Sequence, residues 1–296
     1  MQSPSSPSPS QLTEVTRAMS ACVPELTVTS TIAIVGAKAP VVRQLGSGTL
    51  LAVADLRFVL TAAHVVRESA RHELTLGISG GQNGHFTAAG GNWILSAASS
   101  PDPADDKYDI ALYQLNDYQI SRLAGIEFVR IADASYVSDL SNGYFVVTGF
   151  PGMWSTVLDG AEVTMKSKLL QYGTYAFSGS TSALAGYDAA HHFLLEATPS
   201  EVLDHTGKPT TFRTRTGFTA QMPADLRGIS GCSVWMIGDL TTPVATWAKN
   251  ASRIVGIETG VFPSRGAIKA SRWNAVTTLL YNAFPTLRST IEIYAH

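Results

Sequence analysis

The sequence predicts an all-β chain built in two halves, and three observations carry that expectation. Gly (25) and Pro (14) accompany many Thr and Val residues, a composition suited to short strands joined by turns. Apolar and polar residues alternate with period two along many short stretches, which is the pattern of a half-buried strand. A stretch without clear periodicity, 116–139, separates two such strand-rich regions. A chain of 296 residues buries one large core or two of medium size.

The elements follow in order. Residues 1–10 are almost all Ser and Pro and lack the apolar content to offset ordering, so they are expected to form a disordered tail. Over 11–24, Leu12, Val15, Met19 and Cys22 fall at helical spacing and Pro24 ends the pattern, predicting a short amphipathic helix on the outside of the next domain. From Leu26 to Ile32 the period changes to two. Val41 to Leu45 alternates again, Gly46 to Val53 enters an apolar strand, and Arg57 to Leu60 is its hairpin partner across a turn at Ala54-Asp55. That second strand runs into Thr61-Ala62-Ala63-His64, with small residues leaving the His64 ring accessible at the strand end. Glu73 to Ile78 alternates before a Gly-rich turn at 80–84. Residues 96–107 read as a surface loop.

Tyr108 to Leu115 is an apolar strand headed by a lone Asp109. A charge there is costly to bury unpaired, so Asp109 either caps the strand from solvent or accepts a hydrogen bond from His64. Asp102, Asp105 and Asp106 compete with it but fall in the loop. The second half starts at Tyr144. Val163 to Tyr172 and His192 to Ala197 are strands separated by a Ser/Gly/Ala-rich loop at 178–190. Residues 199–216, with Asp204, His205 and Gly207, form a long polar loop expected to border a cleft and select substrate. Ile254 to Gly260 is a further strand. Ser271 is expected to N-cap a last helix whose face is Trp273, Val276, Leu279, Leu280 and Phe284, closed by Pro285.

Most chemistries find no support. Charged residues are 15% of the chain and the net charge is −2, with no Lys/Arg-rich run, so a nucleic-acid partner is not expected. No apolar run approaches ~18 residues, so neither is a membrane span. Metal-ligand spacings are missing, and His191 and His192 are adjacent and would point apart on a strand. Neither a phosphate loop nor a dinucleotide fingerprint occurs. No metal or cofactor is expected. What remains is Gly228-Ile229-Ser230-Gly231. A serine hydroxyl becomes a nucleophile when it is exposed at a tight turn, a base takes its proton, and N–H groups meet the oxyanion. Taken alone, the stretch also fits a plain Gly/Ser turn.

Three motifs in one order change that balance. Thr61-Ala62-Ala63-His64, then Asp109-Ile110-Ala111-Leu112, then Gly228-Ile229-Ser230-Gly231 resemble the trypsin-like serine proteases of the chymotrypsin fold, over about residues 27–284. The resemblance implies two six-stranded antiparallel β-barrels with a short N-terminal helix and a C-terminal helix. It divides the chain into a first barrel at 25–130, a second at 131–284, and an extension at 285–296. It implies a serine endopeptidase in which His64 takes the Ser230 proton, Asp109 orients His64, and the N–H groups of Gly228 and Ser230 form the oxyanion hole. Glu258-Thr259-Gly260 matches the segment that pairs with the substrate backbone, and the substrate class is a protein or peptide. Ala224 stands where members that cut after basic residues carry Asp. The next residue, Asp225, either meets a Lys or Arg of the substrate or pairs with Arg227, and a small or apolar preference is expected.

Departures from the pattern are also informative. Ile229 replaces the Asp of animal trypsins, so activation through an ion pair with a newly cut N-terminus is not expected, and the chain is similar to the bacterial and intracellular branch. Val65 stands where secreted members have a disulfide cysteine. Cys232 replaces a common glycine and reads as a small buried residue. Two cysteines, Cys22 and Cys232, make no disulfide framework, and no secretory signal is visible, so a cytoplasmic, reducing location is expected. No regulatory module such as a PDZ domain is expected. The alternative is the same fold without catalysis, or gated by a regulatory protein partner. An esterase of another fold is disfavoured, because Cys232 breaks the Gly-x-Ser-x-Gly pattern.

Overall fold

Two sheets, each apolar on both faces, organise the chain. The structure, a computed structural model, describes residue 14 and residues 22–79, 86–97, 105–123, 125–158, 164–182, 184–197, 211–213, 219–221 and 225–294. The tail 1–10, Leu12, Val15 and Met19 of the expected N-terminal helix, the turn at 80–84, and Asp204, His205 and Gly207 of the polar loop lie outside the described residues.

The first strand begins later than its alternation predicts. Residues Leu26–Thr29 form a helical turn, α1. The Thr27 hydroxyl donates to the Pro24 carbonyl (2.9 Å), Ser30 to Leu26 (2.6 Å) and Thr31 to Thr27 (2.7 Å), so local hydroxyl bonds override the period-two pattern. Strand β1 then spans Thr31–Lys38, followed by β2 (Val41–Val53) and β3 (Leu56–Ala62). The expected hairpin turn is present, and Ala54 sits in it at φ +49°. The chain passes from β3 directly into helix α2 (Ala63–Arg71), and β4 (Thr75–Ser79), β5 (Phe86–Ala88), β6 (Ile94–Leu95) and β7 (Ile110–Gln114) follow. The stretch read as a crossing holds helix α3 (Asp117–Arg122) and β8 (Val129–Arg130). Asn116 and Gln119 close a capping box on α3, a signal of the Asx-x-x-Gln kind.

The second half contains β9 (Gly143–Gly149), a hairpin of β10 (Ser155–Leu158) and β11 (Thr164–Ser167), β12 (Leu170–Tyr175), β13 (His192–Glu196), and a hairpin of β14 (Thr211–Arg213) and β15 (Thr219–Gln221). Strands β16 (Ser233–Asp239), β17 (Arg253–Phe262) and β18 (Ala267–Arg272) and helices α4 (Trp273–Ala283) and α5 (Arg288–Tyr294) complete it.

The first sheet is ordered β5-β4-β1-β2-β3-β7-β6, with β8 added beside β2. Among the described residues it has eight strands rather than the expected six, and the β2–β8 pair is parallel. The second sheet has six strands, in the order β12-β9-β16-β17-β18-β13, and all its pairs are antiparallel. A bridge between Ala176 and Leu195 joins its two edges, closing it into a barrel.

Alternation explains the cores. On β3, Phe58 and Leu60 face a core shared by the two sheets, while Val59 faces the interior of the first. On β9, Tyr144 and Val146 face the shared core, while Phe145 and Val147 face the interior of the second. Because both faces of each sheet are buried, the strands read as nearly unbroken apolar runs.

Helix α4 seals the shared core with Trp273, Val276, Leu279 and Leu280, and Phe284 packs edge-on against Phe58 at 4.9 Å. Ser271 is not its N-cap. It lies within β18, fully buried, and its hydroxyl donates to the Tyr108 carbonyl at 2.5 Å. The helix begins two residues later, after Arg272. Among the described residues no helix is long and apolar enough to cross a membrane.

Candidate active site

The site forms where the end of β3, the head of β7 and the turn before β16 meet. His64 is the second residue of α2. The N-cap, Ala62, has no side chain able to cap, and the first N–H groups of a helix need acceptors from elsewhere. Asp109 supplies them. Its carbonyl accepts from Ala63 N at 2.9 Å, and its Oδ1 accepts from His64 N at 2.8 Å. A carboxylate also suits the positive end of a helix. The other oxygen, Oδ2, lies 2.7 Å from His64 Nδ1. A carboxylate only accepts, so Nδ1 carries the hydrogen and Nε2 keeps a free lone pair.

Asp109 has φ +52°, a conformation uncommon for a residue with a side chain. Asp106, expected only as a loop residue, holds that turn. Its Oδ1 accepts from Asp109 N at 2.9 Å, Tyr108 N at 3.2 Å and the Ser96 hydroxyl at 2.5 Å, while Oδ2 pairs with Arg67 at 2.7 Å. Burial alone would raise the Asp106 carboxyl. The bonds from Ser96, the Asp109 amide and Arg67 outweigh it and hold the group below its ordinary value.

For His64, crowding by protein atoms works against the charged ring. The hydrogen bond and negative charge of Asp109, assisted by Glu258, overcome it and raise the imidazole above 6.5. One edge of the ring stays open, with 43% of the side chain exposed.

The turn that carries Ser230 is built from the opposite side. Gly228 has φ +100° and Gly231 φ +97°, values that favour glycine. A Cβ on Gly228 would come within 2.5 Å of Gly152 N, and one on Gly231 would collide with the Ser47 carbonyl and the Thr61 hydroxyl. The Arg227 carbonyl accepts from Gly152 N at 2.7 Å. The two ends of a peptide group point oppositely, so the following Gly228 N–H is turned to the other side. Neither Gly228 N nor Ser230 N donates to a backbone carbonyl among the described residues. These are the two N–H groups that the sequence motif assigns to an oxyanion.

Strand β2 of the first half pins this turn. Ser47 N donates to the Ser230 carbonyl (2.7 Å), the Ser47 hydroxyl donates to the Gly228 carbonyl (2.8 Å), and Phe150 N donates to the Ser47 hydroxyl (2.8 Å). Gln44 reaches the Phe150 carbonyl and the Ser155 hydroxyl. At Gly46 the Val65 side chain and the Ser230 carbonyl both crowd the α-carbon, which brings the nucleophile turn against the helix that carries His64. No hydrogen bond joins the Ser230 hydroxyl to His64. Such bonds are commonly long without substrate and tighten in the complex.

The other sequence candidates take definite places. Asp225 pairs with Arg227 through both its backbone and guanidinium N–H groups, while Ala224 lies outside the described residues. Ile229 is buried in the second barrel. Cys232 is fully buried there, and burial, with the nearby Glu258 charge, pushes its thiol well up, so it is not the nucleophile. The ladder between β17 and β18 is interrupted between Glu258 and Gly260, leaving Thr259 at a bulge. Glu258 itself is bonded to the nucleophile turn: Gly231 N donates to its carbonyl (2.8 Å) and its N–H to the Cys232 carbonyl (2.9 Å). His192 is buried with Nδ1 accepting from Asp188 N at 3.0 Å, and burial, followed by the Lys269 charge, lowers it to about 4.

Ser47 and Arg67 are supporting residues that the sequence did not single out, and Asp106, a competitor of Asp109 in the sequence, instead holds the Asp109 turn. Only the hydrogen-bonding capacity of Asp106, three residues before Asp109, was visible in advance.

Neither a protein-family profile nor a curated protein sequence matches the chain. Solved structures do. The thermostable serine protease AL20 from an extremophilic microorganism is 11% identical at TM-score 0.50, covering 88% of this chain and 99% of its own. The scabies mite inactivated protease paralogue S-I1 is 13% identical at TM-score 0.49, covering 90% and 99%. The serine protease domain of the Sesbania mosaic virus polyprotein is 15% identical at TM-score 0.41, covering 86% and 92%. With two apolar-faced sheets packed across a shared core and the site between them, this chain has the chymotrypsin fold of the serine proteases.

Proposed function

We propose that the protein is a serine endopeptidase that hydrolyses peptide bonds of a protein or peptide substrate through an acyl-enzyme. The observation that carries this reading is the His64–Asp109 pair at 2.7 Å, which leaves the Nε2 lone pair for a proton, beside a turn in which neither Gly228 N nor Ser230 N donates to a backbone carbonyl among the described residues. In the forward step, Nε2 takes the Ser230 proton as Oγ attacks the carbonyl carbon. Asp109 stabilises the imidazolium, and the N–H groups of Gly228 and Ser230 receive the oxyanion. His64 then gives the proton to the leaving amine, and water releases the acyl group. Because His64 is raised above 6.5, activity rises with pH above that value as the ring loses its proton.

A partner-gated form of the same site is the second reading. It is favoured by one observation, the missing hydrogen bond between Ser230 and His64. Fluorophosphonate labelling with mass spectrometry, on the natural chain and on Ser230→Ala, tests both. Labelling at Ser230 that vanishes in the variant supports the endopeptidase, and a peptide library then gives the specificity. A folded chain that is neither labelled nor active on peptides overturns it, and labelling that appears only with a bound partner supports gating.

A further inference from the structure

Strand alternation sends Glu258 inward. Its neighbour Ile257 faces the core between the sheets, so Glu258, like its ladder partner Ala270, faces the interior of the second barrel. The neighbouring walls are apolar: Phe193 and Leu195 from β13, Val147 from β9, Ile268 from β18. Glu258 is 0% exposed, and neither carboxyl oxygen has a hydrogen-bond partner among the described residues. Buried carboxyls are normally paired, so this one demands an explanation. The two backbone bonds to Gly231 and Cys232 place it beside the nucleophile. Four groups favour its charged form: His64 from α2 most of all, then the Gly260 amide, the Ser230 hydroxyl and Lys269 from β18. The amide and the hydroxyl lie close without meeting it at hydrogen-bond geometry. The Cys232 thiol is the other ionisable group near it.

We propose that Glu258 is a positioning residue of the serine–histidine pair: its carboxylate draws the Ser230 hydroxyl toward the barrel interior and raises the basicity of His64. This rests on the endopeptidase reading of the same site. The serine hydroxyl has one hydrogen, and it goes either to the Glu258 carboxylate or to His64 Nε2. A negative charge beside the nucleophile also opposes the oxyanion that forms on attack. Neutral Glu258 does neither, and its own O–H becomes a donor toward Ser230. The group titrates where this matters: burial raises it to about 7, against the pull of His64, so it changes charge near neutral pH.

The test is the titration of the His64 ring, followed by NMR in the full chain and assigned by the signal lost in His64→Ala. In Glu258→Gln the ring should titrate about one pH unit lower than in the natural protein, the effect of losing a nearby opposite charge. The ascending limb of fluorophosphonate labelling should move with it. An unchanged His64 titration overturns the proposal. Should Glu258→Gln not fold, the side-chain carboxyl carbon of Glu258 in the natural chain decides: a midpoint near 7 supports the proposal, and one at the ordinary glutamate value overturns it. A chain with no labelling and no peptide cleavage defeats the endopeptidase reading alone, because the two titrations need no turnover.

Discussion

Asp109 grips His64 twice, through Oδ2 on the ring Nδ1 at 2.7 Å and through Oδ1 on the main-chain N–H at 2.8 Å. One carboxylate therefore orients the candidate base and caps the helix that carries it. Asp109→Asn keeps the shape but offers one acceptor oxygen in place of two. It must give up the ring or the cap. The expected result is a fall in kcat of about 10³–10⁴-fold from a misdirected imidazole, with a stability loss of about 1 kcal/mol from the cap. Peptide hydrolysis and thermal unfolding measure the two separately, and a variant retaining a tenth of the activity would remove Asp109 from its role.

Ser47 lies in the first half yet bonds Gly228 and Phe150 of the second with one hydroxyl. It is fully buried. Ser47→Ala leaves a buried N–H and a carbonyl without that partner, at a cost of about 1–3 kcal/mol. The expected variant folds with a lower melting temperature and a reduced rate of Ser230 labelling. A lower melting temperature with an unchanged labelling rate would mean that Ser47 stabilises the turn without shaping it.

Asp106 has only 1% of its side chain exposed and Arg67 has 18%. Removing one partner of such a pair costs about 3 kcal/mol or more, so Asp106→Asn should lower stability at neutral pH. Because the Asp106 carboxyl is held below its ordinary 3.8, its contribution is present above that pH and is lost as pH falls through the folded value. Unfolding by denaturant across the acid range should show a steeper acid limb in the natural protein than in the variant. Parallel limbs would contradict this assignment.

Glu258 works in the opposite direction. Its value rises from 4.5 to about 7 in the folded chain, so the folded state holds a proton that the unfolded state releases between those values. Stability declines as pH rises across that window, by about 3 kcal/mol at its full extent. Glu258→Gln should flatten the decline. His64, also raised, adds a loss of the same sign above 6.5, so the comparison belongs in a His64→Ala background. A decline as steep with Glu258→Gln as without it would show that the carboxyl is already charged at acid pH.

His64, Asp109 and Ser230 stood out in the sequence because each stands at the end of an apolar strand or in a glycine turn, where local pattern and residue type coincide, and the structure joins the first two. The hairpin through Ala54-Asp55 was legible for the same reason. Helix α2 was not, because its N-terminus is capped by Asp109, 45 residues away, and no local cap announces it. The turn at Leu26 to Thr29 read as strand because its hydroxyls bond backward along the chain, which period-two counting ignores. Ser271 looked like an N-cap from its place before a helical face, but its hydroxyl is spent on Tyr108, 163 residues away.

By itself the sequence determined the class of fold, the two halves, and the residue types able to do acyl-transfer chemistry. Those follow from periodicity and from short motifs, which are properties of neighbours along the chain. Only the tertiary structure decided what those residues face. It set Ser47 under the Ser230 turn from 181 positions away, engaged the Arg227 carbonyl with Gly152 N, and enclosed Glu258 in a barrel lined by Phe193, Leu195, Val147 and Ile268. Hydrogen-bond direction and desolvation depend on where distant segments pack, and these alone separate the hydrogen-bonded carboxylate of Asp109 from the enclosed carboxylate of Glu258.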